Sequence, residues 1–591
     1  MKKYIFILFV ILCVSPLFAG VSFNYAEADK VVYKPGDVAK FTLNLKDYAT
    51  EEITCNTYIY TDINRKELIN TQQVSMEANI DTDIITEWTV SEGLEWGCTA
   101  EMEIIPGDSQ KVSAFIQFAV GKNRAYKYGY WGMVCNRGLL TEEQAIVNVR
   151  DCLKQGHYSA MEFFSWNPSC WEDLAPETHE WISGQTGYIE TKKNIKTMID
   201  TAHQCGINAF SYHQANSWGY GGEEYLRLHP EWWNYDRHGK PFADLNVYDM
   251  SILDNTYQFI TDRENWKDSG VHPHWIWWST GNLVYPGMVD FYFSEMKKSK
   301  EMFGWDGFRS DGFARMQDTY DADGNVVKAD PKYTDYPTWL RYVRQRMKEE
   351  MGEETTFHHN SGSVAYPLEK TSPEVIMANA EDDSYVLWEG ATYAYNKGHD
   401  LNDMRNFARY GHKEVEVTRK AGGERYVMMG LGTNEYIQAI VTAFGGRVCG
   451  IVNVPMDPPA RYYPATYLSY TFRFGEFFWN NKLQHIENAD QIISVDKNVY
   501  WDTLVQKLEK DGKTYYMVHL INAPESFSAS DPVPAPVQNV TVSLNTDRKV
   551  RAYATSPDFG YDNSFVYAQN STGSITVPEI RQWTCVIFEC E

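Results

Sequence analysis

The spacing of apolar residues changes character twice along the chain. From residue 21 to about 121, apolar and polar positions alternate in short runs such as Ala39–Leu45 and Thr57–Thr61, separated by turn residues such as Lys34–Asp37. A period of two marks strands with one buried face. About a hundred residues in this rhythm predict an immunoglobulin-like β-sandwich over 21–121. From residue 122 onward strands and amphipathic helices take turns. Strands are expected at Tyr126–Trp131, Tyr158–Trp166, Ile207–His213, 305–312, Thr355–His359, within Val375–Glu389, at Tyr426–Leu431 and at Val448–Val454. Helical faces fall between them, such as Ile146, Val149 and Leu153 behind a capping box of Thr141 and Gln144. Ile195, Met198, Ile199 and Ala202 form another. Eight strands with helical intervals predict a (β/α)8 TIM barrel over 122–484, with its chemistry at the C-terminal strand ends. Alternation returns after residue 485, for example at Tyr515–Leu520 and Val540–Leu544, and predicts a C-terminal antiparallel β-sandwich over 485–591. The interval 214–285 is longer than an ordinary connection and is rich in tryptophan, with Trp218, Trp232, Trp233, Trp275, Trp277 and Trp278 among its residues. It is expected to wall a substrate cleft.

The first twenty residues change the picture of where the chain works. Lys2 and Lys3 precede an apolar run from Tyr4 to about Val14, followed by Pro16 and the small residues Ala19 and Gly20. That is a secretion signal over 1–20, too short to span a membrane. A secreted protein is expected, in the periplasm, at the cell surface or outside the cell, with no membrane insertion and no oligomer beyond the monomer. The net charge of −25 argues against a nucleic acid partner and against an anionic membrane surface. Aromatic residues make up 15% of the chain, more than a core requires, which favours an oligo- or polysaccharide as the partner. Nine cysteines remain after the signal, an odd number with no C-x-x-C pair, so no structural zinc is expected. Cys55 with Cys98, and Cys585 with Cys590, are the pairs that sequence position brings to mind. Asp318–Gly324 lacks the full ligand set of a calcium loop and is expected to be a hairpin turn. Neither a metal nor a cofactor is expected.

The candidate chemistry centres on Gly304–Phe313. Arg309 and Asp311 are two residues apart on the fourth expected strand, so they share a face. A cation beside a carboxylate keeps it ionised, as a nucleophile at a sugar carbon requires. Glycoside hydrolysis needs a second carboxyl group across the scissile bond. The sixth strand region offers Glu389, in the apolar setting of Tyr385–Trp388 that raises a carboxyl pKa, and Glu381, in an acidic cluster. Both stay open as the acid/base. Trp131, Trp166, Tyr212, His213, His358, Asn360, Trp388 and Asn453 fall at the expected active face and are candidates to bind substrate.

These segments resemble glycoside hydrolase family 66, the dextranases and cycloisomaltooligosaccharide glucanotransferases. Gly304–Gly307 leading to Asp311 is similar to the family's nucleophile segment, and Asp383–Glu389 to its acid/base segment, with a different order around Trp388. Phe163–Trp166 resembles a third motif, with Ser165 where the family has an acidic residue. The resemblance implies the three-part architecture above, Asp311 as nucleophile and Glu389 as acid/base. It implies a retaining endo-hydrolase of α-glucan, most simply α-1,6-linked dextran. No interval is long enough for the extra carbohydrate-binding module of the cyclising members, which favours hydrolysis. Two rivals stand beside this reading: an exo-acting α-glycosidase of the same architecture, and a glycan-binding protein without catalysis.

Overall fold

The computed structural model describes the chain from residue 21 onward, outside 48–50, 64–65, 107–110, 123, 137–139, 165, 168–173, 184–188, 215–227, 233–234, 236, 240–285, 312–318, 329, 331–334, 361–372, 382–384, 390–398, 423–424, 430–434, 455–464, 529–530, 560–565 and 571. The expected secretion signal and most of the tryptophan-rich interval therefore lie outside the described residues.

The alternating N-terminal stretch forms two antiparallel-rich sheets. Val21–Ala28, Val38–Asp47 and Asp81–Thr89 make one. Val32–Tyr33, Val112–Val120, Trp96–Pro106, Glu51–Tyr60 and Lys66–Met76 make the other, in that order. Alternate residues of both, such as Phe41 and Leu43 from the first and Ile104 and Phe118 from the second, enter one shared apolar cluster. The period of two is thus the record of a single buried face on each sheet.

Eight parallel strands then close into a barrel: Tyr130–Asn136, Tyr158–Phe163, Asn208–Gln214, Gly307–Asp311, Thr356–Asn360, Tyr385–Glu389, Arg425–Met429 and Gly446–Val454. The first strand pairs with both the second and the eighth, which completes the ring. Helices pack around it, including the expected Lys192–Gln204, Pro286–Phe303 and Tyr336–Met351, and also Leu401–Lys420. Gly307 earns its place here, because a Cβ there would collide with the backbone carbonyl of Thr356 on the fifth strand.

One expectation needs correction. The first strand starts at Tyr130, not Tyr126, and Ala125–Lys127 is a 3-10 turn instead. Its cause is Arg447 on the eighth strand, whose buried guanidinium donates to the carbonyls of Tyr126, Lys127 and Gly129. Those bonds curl the segment across the barrel floor, where Tyr126 plugs the lumen beside Trp131 and Phe210. The sixth strand, expected within Val375–Glu389, is Tyr385–Glu389, and Pro373–Ala380 ahead of it is helical. The expected hairpin is present as Thr319–Tyr320 against Val326–Val327. Asp321 Oδ1 caps its turn by accepting from the amides of Asp323 and Asn325 at 3.0 and 2.8 Å.

After the barrel, a six-stranded sheet and a three-stranded sheet enclose a further core that includes Leu520, Val540, Val577 and Phe588. The barrel is stitched to its neighbours at both seams. Arg473, ending the helix Ala465–Arg473, donates to the carbonyl of Gly97 at 3.0 Å and also to that of Asp62 in the N-terminal sheets. Lys154 reaches the Glu27 carboxylate at 2.7 Å. On the other side, His412 of a barrel helix stacks on His485 with ring centroids 3.6 Å apart. Nearby, His519 accepts from Trp583 Nε1 at 3.2 Å.

The seven described cysteines, Cys55, Cys98, Cys152, Cys205, Cys449, Cys585 and Cys590, are all buried free thiols. Cys55 pairs across the sheet with Ile104, six residues from Cys98. That offset is about 20 Å along a strand, whereas a disulfide needs Cα atoms within about 7 Å. Cys585 and Cys590 lie on one extended strand, about 17 Å apart by the same rise, and cannot bridge either.

Gly97 meets the backbone carbonyls of Phe472 and Arg473, with no room for a Cβ. Gly97→Ala is expected to cost about 1–3 kcal/mol through overpacking, read as a lower urea midpoint with an unchanged slope. Burial holds the three seam histidines neutral, His519 at a pKa of about 3. A histidine with a depressed folded pKa gives its full stability above the unfolded value near 6.5 and loses it as pH falls toward the folded value. The melting temperature is expected to drop progressively below pH 6.5, and His519→Gln to flatten that slope in a calorimetric pH series.

Candidate active site

The parallel barrel gives its inward positions a fixed neighbourhood. Trp131, Glu162, Tyr212, Arg309 and His358 meet inside it, each from a different one of the first five strands. Glu162 is the hub. Its Oε1 accepts from Arg309 Nη1 at 2.9 Å and its Oε2 accepts from Trp131 Nε1 at 2.6 Å. Glu162 is 1% exposed and Arg309 2%, so the ion pair is shut away from solvent. The Tyr212 ring lies 5.1 Å from the guanidinium carbon, close enough for a cation–π contact, and Phe164 packs against the same ring with centroids 4.4 Å apart. The face of Trp131 stacks on Phe210, with centroids 4.5 Å apart. His358 sits among Tyr126, Trp131 and Phe210, its Nε2 3.0 Å from Thr356 Oγ1. Burial, then the nearby arginine charges, holds His358 neutral far below the usual imidazole range.

Other candidates face elsewhere. His213 is buried against the helix Pro286–Phe303, where its Nε2 hydrogen-bonds the Tyr292 hydroxyl. Burial, with the charges of His359 and Arg309 behind it, pushes its pKa down to about 3. Trp166 is fully enclosed by Trp181, Phe303 and Trp305, and its Nε1 donates to Ser211 Oγ at 3.1 Å. The structure thus puts both between the barrel and its helices. Glu381 follows the helix Pro373–Ala380, and its carboxylate accepts from Arg341 Nε and Nη2 at 2.7–3.1 Å. Arg341 belongs to a surrounding helix, so this carboxylate serves the helical layer.

Asp311 and Glu389 are the last residues of the fourth and sixth strands. Asp311 is in register with Gln214 and Glu389 with Met429. Asn360 ends the fifth strand, Trp388 is the penultimate residue of the sixth, and Asn453 that of the eighth. The side chains of these five, and Ser165, lie outside the described residues. A groove of about 880 Å³ opens at the seam of the N-terminal sheets with the barrel, lined by Tyr25, Lys30, Gln117 and Arg150 among others. None of the candidate residues lines it. Among the described residues, no group of three or more His, Cys, Asp or Glu side chains is placed to hold a metal ion. Nor is any described helix long and apolar enough to cross a membrane.

Glu162 escapes a reading of the sequence alone. Tyr158–Phe163 looks like a buried strand in which one carboxylate is an anomaly, and only the barrel reveals the arginine that answers it. The available signal was that anomaly, since a charged residue in a buried run demands a partner.

Comparison with known proteins supplies the class: this is an enzyme of glycosidic bonds. The profile of Glycosyl hydrolase family 66 matches residues 28–359, more than half of the 591. The chain belongs to that family. The match takes in Glu162, Arg309 and Asp311 and stops before the sixth strand. Among solved structures, a Paenibacillus sp. cycloisomaltooligosaccharide glucanotransferase complexed with cycloisomaltoheptaose is similar at a TM-score of 0.72 and 13% identity. It covers 97% of this chain and 100% of its own. At that identity the likeness is one of fold. A family 39 glycoside hydrolase from Bacteroides cellulosilyticus WH2 aligns over 96% of this chain and 99% of its own, with 10% identity and a TM-score of 0.36. Comparison with the curated proteins gives no match.

With its carboxylate committed to Arg341, Glu381 is expected to be dispensable for turnover. Glu381→Gln should keep kcat/KM within about twofold of wild type, at a cost of no more than about 1 kcal/mol in stability, as for an exposed ion pair.

Proposed function

We propose that the protein is a secreted retaining endo-glycoside hydrolase of α-glucan, acting on the α-1,6 linkages of dextran, with Asp311 as nucleophile and Glu389 as acid/base. The observation that carries this reading is that both residues close their barrel strands at the same, C-terminal, end, in a chain of family 66. That end is where barrels of this kind place their chemistry. The architecture enters the reading as a (β/α)8 barrel between an immunoglobulin-like sandwich and a C-terminal β-sandwich. The cycloisomaltoheptaose bound to the structural relative supports an isomaltose-type substrate.

The chemistry follows the two-carboxylate scheme. The Asp311 carboxylate attacks the anomeric carbon while Glu389 gives its proton to the departing glycosidic oxygen. The bond to the leaving sugar breaks as the bond to Asp311 forms. Glu389, now a carboxylate, takes a proton from water, and the resulting attack at the same carbon releases Asp311 with the anomeric configuration retained. Trp131, Tyr212 and His358 form the packed floor beneath, and Asn360, Trp388 and Asn453 are candidates to contact sugar hydroxyls at the rim.

Asp311→Asn is expected to leave less than a tenth of wild-type turnover on dextran with the fold intact by circular dichroism. Greater residual activity would remove Asp311 from the role. Product analysis belongs to the same experiment. A ladder of isomaltooligosaccharides supports endo action, monosaccharide alone supports the exo-acting alternative, and dextran binding without release of reducing ends supports the non-catalytic one.

A further inference from the structure

We propose that Glu162 is a positioning residue for the displacement: it clamps the Arg309 guanidinium from below and so fixes the cation that faces the nucleophile strand end. This rests on the reading of Asp311 as nucleophile and adds a member to that site.

The argument starts from confinement. A buried guanidinium must be paired, and Arg309 meets Glu162 Oε1 at 2.9 Å across the strands. The second carboxylate oxygen is held by Trp131 Nε1 at 2.6 Å, so Glu162 cannot rotate away without leaving a buried indole donor unmet. Tyr212, the register partner of Arg309, lies against the guanidinium as a third constraint. Arg309 is therefore held directly by Glu162 and Tyr212, and through Glu162 by Trp131. Asp311 lies two positions further along the same strand, about 7 Å away by the strand rise. By register Glu162 lies level with Gly307, below Arg309, and the strand end lies above Arg309. Glu162 has two opposed effects on a carboxyl at that end. Its own negative charge disfavours ionisation there, and its grip keeps the favourable positive charge of Arg309 in place.

The two effects separate by experiment. The acid limb of the kcat/KM profile on dextran reports the pKa of the nucleophile in the free enzyme. Glu162→Gln keeps an acceptor for Arg309 and removes the negative charge, so the limb is expected to move to lower pH by about half a unit or more. Arg309→Gln removes the cation, and the limb should move the opposite way. Glu162→Asp retains the charge and most of the packing but draws the guanidinium toward the second strand by one methylene. It should raise the limb and lower kcat at least fivefold, with KM within twofold. A purely structural Glu162 would lower the melting temperature in each variant and leave the limb where it is. That result in the folded Glu162→Asp protein alone is enough to overturn the proposal, should the neutral variants fail to fold. Asp311→Asn tests the underlying reading separately. If that variant stays active, both readings fall. If it is inactive while the limb ignores Glu162, only the positioning role falls.

Discussion

Closure of the barrel is the constraint on which the remainder depends. Once the first strand hydrogen-bonds to both the second and the eighth, every second residue of eight strands is committed to a narrow lumen. Polar groups forced into that space must satisfy one another, because water has no room to do so. The lumen answers with two arginines used in different ways. Arg447 closes the floor by binding three backbone carbonyls, and Arg309 meets a carboxylate and the ring of Tyr212 higher up. Aromatic rings fill the volume between them. A floor so tightly packed leaves the strand ends as the place for a substrate to approach.

The flanking sheets extend this logic outward. Each keeps its own apolar cluster, yet each also hands polar groups to the barrel. Arg473 binds carbonyls of the N-terminal sheets, and Lys154 takes a carboxylate from them. The C-terminal sheets meet the barrel through a dry aromatic seam of Tyr470, Phe478 and Trp583 together with stacked imidazoles. Side chains that bridge two cores make relative movement of the parts costly, which keeps the strand ends in one geometry.

Much of this arrangement is legible in the residues themselves. Periods of two and of about three and a half separate sheets from barrel helices, because a strand and a helix expose their buried faces at different intervals. The capping box of Thr141 and Gln144 forms as read, each side chain meeting the other's backbone amide. What escapes is whatever depends on a distant partner. Tyr126, Tyr128 and Tyr130 alternate as a strand would, and only Arg447, more than three hundred residues later, bends the first of them into a turn. His213 and Trp166 look like active-face residues by position, but alternation sends His213 to the outer layer of its strand, and Trp166 lies beyond the second strand, which ends at Phe163. Glu162 acquires its meaning only from Arg309. The family match spans Asp311 and ends before Glu389, and both residues end their strands.

The cysteines carry a consequence for how such a chain matures. Seven thiols are sealed inside separate cores, and burial pushes those of Cys55 and Cys98 up to about 11 and 12. A thiol held in its protonated form and out of reach is a poor nucleophile. These positions neither need an oxidising catalyst to reach the native state nor offer a handle to one. Once folded, these seven thiols are insensitive to the redox poise of their surroundings, and the hazard lies earlier, while the same sulfurs are still exposed on an unfolded chain.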